Sequence, residues 1–464
     1  MGTSMNSFFN PVLLSKILKS YLFDINRLRN LNDEELKKYQ IKRLRKIVKF
    51  AYTVPLYHDI YKKAEVHPDD IKSLEDINKL PTVSKNDFKK YYPDGIISSK
   101  IAKHKLIEVS TSGTTGKSIT IYVDMFDIVV GLFGYIRSLN EHGINWRKDR
   151  LTIIADFQPH TVESGYIHRG LQPRLSSNLF FKNIQWLNTN NPSEKVIKEI
   201  DKFKPDFIGG YTGMLGHLAL LKEKGYGKNI SPRVMASTGG SINNSLRDLI
   251  EKTFNVPVFE SYASTESGPI AYQCKNGGYH VLSDFVYLEY LKNGVHVKSG
   301  EAGKLVLTKL YGHGTPIIRY DAINDIVAPL YEKCDCGLAG EQIKKIYGRD
   351  DLSFYTTDGK IILPSSFGEI FGKILYELKT NKLKDVRVIQ HDLNKIEIQA
   401  VINEKLRDVG PSVEEIFSVL KQGFVEKFGL NIEILTKEVK KIDRKKPRII
   451  SKVDRNKIKI TGYA

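Results

Sequence analysis

The run Ser110-Thr111-Ser112-Gly113-Thr114-Thr115-Gly116-Lys117 concentrates small hydroxylated residues and glycines ahead of a lysine. Those are the parts of a phosphate-gripping loop: glycines let backbone N–H groups approach a polyphosphate, hydroxyls donate hydrogen bonds, and lysine adds a point charge. The spacing is not that of the Walker motif, which needs Gly, four residues and then Gly-Lys-Ser/Thr. A Ser/Thr/Gly run is also what a surface loop looks like, so other residues must decide. A second set capable of chemistry is formed by Cys274, His280, Cys334 and Cys336. An odd count of three cysteines argues against a disulfide framework, whereas a tight Cys-Asp-Cys-Gly knuckle with a further Cys and His suits tetrahedral Cys₃His ligation of structural Zn²⁺. Free buried thiols are the alternative.

These groups need a scaffold. At 464 residues the chain is long enough for a large core and a second unit. Its 41% hydrophobic and 27% charged residues are those of a globular protein. No apolar run reaches the ~18 residues of a membrane span and no signal segment is visible, so a cytoplasmic protein is expected. The net charge of +18 is spread along the chain, with its densest runs at Lys42–Lys49 and Lys437–Lys459. Without a nucleic-acid-binding motif, it fits polyanionic small substrates better than nucleic acid, and only weak attraction to a membrane surface.

The first hundred residues read as helices, with Leu13, Leu14, Ile17 and Leu18 on one apolar face and Leu44, Ile47, Val48 and Ala51 on another. After the glycine-rich run, apolar stretches at Leu151–Ala155, Phe207–Gly210, Arg233–Ala236 and Val256–Phe259 alternate with helical patterns at Ser193–Phe203 and Asn243–Phe254. Such alternation predicts an α/β fold with a parallel sheet, whose strand ends build a ligand crevice. Near Leu282 the pattern changes to one that predicts antiparallel strands, including Phe285–Tyr290 and Lys304–Thr308. The expected organisation is a large unit over residues 1–350 with a β subdomain at about 282–347, and a small mobile α+β unit over 351–464.

Taken together with Tyr262-Ala263-Ser264-Thr265-Glu266, Arg319-Tyr320 followed by Asp325, and Gly348-Arg349-Asp350-Asp351, the glycine-rich run resembles, in order, the signatures of the adenylate-forming (AMP-binding) superfamily. Leu80–Lys85 and Pro316–Tyr320 are similar to the phenylacetate-CoA ligase and capsule-biosynthesis branch, and the resemblance spans nearly the whole chain.

The resemblance implies an ATP- and Mg²⁺-dependent acid–thiol ligase that makes an acyl-adenylate and passes the acyl group to CoA. It implies ATP or AMP binding by Ser112, Gly113, Thr114, Thr115, Gly116, Lys117, Ser237, Gly239, Gly240, Ser241, Ser261, Tyr262, Ala263, Ser264, Asp325 and Arg349. Thr265 would meet the α-phosphate and Glu266 the Mg²⁺, hard oxygen donors suiting that ion. Ser241 stands where relatives often carry an acid, and four residues instead of three precede Asp325, which leaves Asp321 as a competitor. Asp351 would be the hinge. Lys445 would be the catalytic lysine, with Lys446 as its rival because the motif glycine is missing. Phe157, Tyr166, His168, Tyr211 and Met214 would line the acyl pocket, an aromatic-tolerant wall for a small or aryl acid. The alternatives are an amide synthetase with an amine acceptor, a carrier-protein thiol as acceptor, or a nucleotide-binding regulator without catalysis. The chain alone does not fix an oligomeric state, a homodimer being one option.

Overall fold

The computed structural model describes residues 11–111, 118–159, 161–171, 182–240, 242–442 and 448–463. Helices dominate the described chain from Pro11 to Tyr91. Helix Asp33–Ala51 starts at a capping box in which Asn32 accepts from the Glu35 amide, and it buries Leu44, Val48 and Ala51 completely. On the preceding helix, Pro11–Asp24, Leu18 does not share a buried face as expected: it is 57% exposed, as are its neighbours Leu22 and Phe23 at 62% and 66%. Among the described residues no helix is long and apolar enough to cross a membrane.

Strands β1 (Ile107–Ser110) and β2 (Thr120–Val123) form an antiparallel hairpin. Strands β3 (Leu151–Ala155), β4 (Ile184–Asn188), β5 (Phe207–Tyr211), β6 (Val234–Thr238) and β7 (Val258–Ser264) then run parallel in the order β4-β3-β5-β6-β7. Continuous apolar sequence is what such strands need, because helices cover their faces. Helix Ser193–Phe203 turns Val196, Ile197 and Ile200 inward, and helix Asn244–Phe254 does the same with Leu246, Ile250 and Phe254.

The antiparallel part begins earlier than the change near Leu282 suggested. Strand β8 (Gly268–Gln273) follows β7 after only Thr265, Glu266 and Ser267, and so short a connection can only reverse the chain. Strands β9 (Tyr279–Val281), β10 (Val286–Lys292), β11 (Val295–His296), β12 (Gly303–Lys309), β13 (Asp325–Leu330) and β14 (Gln342–Arg349) continue outward. All belong with the parallel strands to one 12-stranded sheet, ordered β11-β10-β12-β13-β14-β9-β8-β7-β6-β5-β3-β4. β7 is therefore the switch point, parallel to β6 and antiparallel to β8.

Beyond Arg349 the chain forms smaller sheets. One has strands β15 (Phe354–Tyr355), β16 (Lys360–Ile362) and, at its far edge, the last strand Gly462–Tyr463; the other is built around the long pair β17 (Leu383–Asp392) and β18 (Lys395–Ile402). Helices Pro364–Tyr376 and Val413–Phe428 pack here over a core containing Phe354, Phe367 and Phe424. The Asn243 amide donates to the Gly368 carbonyl at 2.8 Å, tying this part to the head of helix Asn244–Phe254.

Candidate active site

The β7–β8 turn projects Glu266 at the switch point. Ser264 organises it, its hydroxyl accepting from the Ser267 amide at 3.1 Å, while Gly268 takes φ +76, a backbone conformation costly for any residue with a Cβ. Glu266 is buried, and Tyr320 donates to its Oε1 at 3.2 Å. Burial raises the Glu266 pKa, and the positive charges of Lys85 and Arg349 draw it partly back. Next to it on β7, Tyr262 donates to Asp325 Oδ2, and Asp325 is the register partner of Arg349 across β13 and β14. Glu266, Tyr262, Asp325 and Arg349 thus meet at one end of the sheet, though about sixty residues separate the two halves of the set in sequence. Asp321 is engaged elsewhere: its amide donates to Val83 and its carboxylate faces Lys304 at 3.8 Å.

One strand-end over, at the close of β6, Gly239 has φ +73, and a Cβ there would stand 2.3 Å from Cδ1 of Tyr211. Gly240 presents its carbonyl to the Thr212 hydroxyl at 2.8 Å. Ser237 is fully buried and hydrogen-bonded to Thr212 at 2.7 Å, so it braces the turn from behind. The Ser261 carbonyl accepts from the Thr238 hydroxyl, and Ala263 and Thr265 are partly exposed beside Glu266. Phe157 stacks on His168 with ring centres 4.9 Å apart, and Tyr166 is buried against Gly131 on helix Met125–Glu141. Met214, on helix Thr212–Glu223, is buried in an apolar cluster.

Ser112, Gly113, Thr114, Thr115, Gly116, Lys117, Ser241, Lys445 and Lys446 lie outside the described residues, as does the Asp351 side chain. The described flanks of the glycine-rich run are closely paired: Thr111 donates its amide to Ile119 and its hydroxyl accepts the Ile119 amide at 3.0 Å.

On the sheet's antiparallel side, the ligand atoms of Cys274, His280, Cys334 and Cys336 all lie within 4.8 Å of one another. Cys274 and Cys334 sulfurs are 3.9 Å apart, and Cys336 Sγ is 3.1 Å from His280 Nε2. A tetrahedral Zn²⁺ with Zn–S near 2.3 Å has ligand–ligand edges of about 3.8 Å, so the donor set fits that ion. Burial lowers the His280 pKa to about 4, leaving its imidazole in the neutral form a metal requires.

No family model matches the chain. It is 25% identical over 435 residues to Protein CapK of Staphylococcus aureus, covering 91% of this chain and 90% of that protein. Phenylacetate-coenzyme A ligase of Pseudomonas putida is 27% identical over 300 residues, 62% of this chain and 65% of the ligase. Among solved structures, 2-hydroxyisobutyryl-CoA ligase in its postadenylation state, with an acyl-AMP bound, superposes with a TM-score of 0.71 at 18% identity, over 93% of this chain and 92% of that one. The chain is thus similar in sequence to CapK and to phenylacetate-CoA ligases, and it shares the fold of a CoA ligase.

The site also feels a lysine whose role the sequence does not single out. Lys85 reads as the first residue of a helix capped by Ser84. It comes within electrostatic reach of Glu266 because Val83, two residues earlier, pairs with Tyr320 and donates its amide to the Arg319 carbonyl at 2.9 Å. Arg319 is the anchor of this arrangement. It forms a bidentate pair with buried Glu289 at 3.0 and 2.8 Å, donates to the Leu80 and Asn78 carbonyls, and so braces the site instead of lining it.

Proposed function

We propose that this protein is an AMP-forming acid–CoA ligase. A carboxylate oxygen of the acid attacks the α-phosphorus of ATP and pyrophosphate leaves; the CoA thiolate then attacks the acyl carbon and AMP leaves. The observation that carries this reading is the buried Glu266 carboxylate, within the electrostatic field of Lys85 and Arg349 and near the Tyr262–Asp325 pair. A carboxyl forced into the interior among cations is suited to a charged phosphate–metal assembly, where preorganised charge is worth more than in water.

In this reading Glu266 holds Mg²⁺, which supplies charge neutralisation at the phosphates. Thr265 meets the α-phosphate, Lys85 and Arg349 offset negative charge, Asp325 receives the ribose hydroxyls, and the Gly239–Gly240 turn faces adenine. Residues 112–117 grip the β- and γ-phosphates. Residues 351–464 swing about Asp351, bringing Lys445 to the reacting carboxylate and then removing it. 2-Hydroxyisobutyryl-CoA ligase is known in both a postadenylation and a thioesterification state, and the fold described here overlaps the first with a TM-score of 0.71 and the second with 0.61. Cys274, His280, Cys334 and Cys336 hold a structural Zn²⁺ that fastens β9 to the loop before β14.

The test is pyrophosphate exchange across a broad panel of carboxylic acids, followed by mass spectrometry after adding CoA. Acid-dependent exchange and an acyl-CoA product are expected. ATP binding without exchange overturns the ligase reading, and exchange without any acyl-CoA overturns the choice of acceptor in favour of an amine.

A further inference from the structure

The acyl side of the site is more polar than an aromatic wall for an aryl acid requires. Glu163 lies in the turn Val162–Ser164, which runs into a π-helix at Gly165–Leu171, a rare form associated with functional sites. Its Oε1 accepts from the Tyr211 hydroxyl at 2.5 Å, and the ring of that tyrosine is the one pressed against Gly239. Glu163 forms no ion pair among the described residues. Burial raises its pKa, and the nearby Asp156 raises it further. Tyr135 stands within electrostatic reach of Glu163, Tyr211 and Tyr166. The Tyr166 hydroxyl is buried without a hydrogen-bond partner, 3.8 Å from where a Cβ on Gly268 would lie, next to the Glu266 turn. Lys309, the cation nearest Tyr166, is committed to Asp127 at 2.8 Å.

A carboxylate with one oxygen unused calls for a ligand that donates a hydrogen bond, and the unpaired Tyr166 hydroxyl, which can both donate and accept, can meet a hydroxyl or amine from either side, since buried polar groups left unmatched are costly. We propose that the acid activated here bears a hydrogen-bond-donating group, an amine or a hydroxyl, away from its carboxyl, and that Glu163 receives it with Tyr211 and Tyr166 alongside. This rests on the ligase reading above and specifies its substrate class.

The experiment is pyrophosphate exchange at saturating ATP with matched sets of acids, each as an unsubstituted, a hydroxyl-bearing and an amine-bearing member, using the wild-type protein, Glu163→Gln and Tyr211→Phe. The wild type should favour a donor-bearing member over its unsubstituted partner by at least about tenfold in kcat/KM. Glu163→Gln should remove most of that preference while exchange with the unsubstituted acid persists. A larger loss for the amine than for the hydroxyl identifies an ammonium group as the donor, and equal losses identify a hydroxyl. An active enzyme that is indifferent to the donor, or a preference that Glu163→Gln leaves unmoved, overturns the inference and spares the ligase reading. Exchange with no acid at all, despite ATP binding, overturns both.

Discussion

The two halves of the large sheet are held together by different means. On the antiparallel side, charges are buried in pairs: Arg319 with Glu289 at 2.8 Å, Lys309 with Asp127 at 2.8 Å, and Arg137 with Asp284 at 2.7 Å. On the parallel side the interior is aliphatic, with Ile154, Ile197, Ile208, Leu215 and Met235 packed together and a small hydroxyl pair, Ser237 with Thr212, at the strand ends. Apolar contacts are non-directional, whereas a bidentate ion pair fixes both distance and plane. The side that aims Glu266, Asp325 and Arg349 uses directional bonds, and the side that carries the Gly239–Gly240 turn uses glycine and small residues.

That contrast can be broken deliberately. The largest effect expected is on stability: Arg319→Met leaves Glu289 buried without its partner and should cost about 3–5 kcal/mol by denaturant unfolding, while adding Glu289→Leu should restore much of it. A single-variant loss within a few tenths of a kcal/mol would show that the pair does not brace the sheet. Cys334→Ser should come next, losing about one equivalent of zinc per chain by elemental analysis together with roughly 3 kcal/mol of stability. Full stability in metal-free wild-type protein would remove the metal from the account. Glu266→Gln should leave the fold intact and slow adenylation by about 10²-fold, close to 2.7 kcal/mol, because an amide is not an anionic metal ligand. Near wild-type exchange by the folded variant would deny Glu266 that role. The smallest effect belongs to the parallel half: Gly239→Ala should cost about 1–2 kcal/mol in kcat/KM for ATP, since the new methyl meets Tyr211 at a left-handed backbone position. An unchanged value would separate that turn from the nucleotide.

Sequence carried the parallel half well. Strand β3 and helix Ser193–Phe203 begin and end where their apolar run and their 3.6-residue periodicity do, because local pattern and burial agree there. It carried the antiparallel half less far. Nothing near Lys85 announces that its charge is felt at Glu266, since that proximity depends on Val83 finding Tyr320. The extra residue before Asp325 becomes intelligible only with Asn324 at φ +62, whose carbonyl accepts from the Asp350 amide at 2.7 Å. Glu163 reads as an ordinary solvated acid until Tyr211 is folded onto it. Leu18 shows the opposite error: Ile17 of the same apolar pattern packs against the core while Leu18 stays exposed.

Tyr57, on helix Pro55–Lys63, has consequences for how the chain is made. Its hydroxyl donates to the Pro316 carbonyl at 2.8 Å and accepts the Ile318 amide at 3.0 Å, a contact spanning 261 positions, and the residue is fully buried. At a synthesis rate of about 5–20 residues per second, its partner emerges roughly 13–50 seconds after Tyr57 does. Throughout that interval the nascent N-terminal helices hold apolar faces whose burial site has not yet been translated. They must wait, shielded by chaperones or by one another, until the ribosome delivers the strands that complete their core.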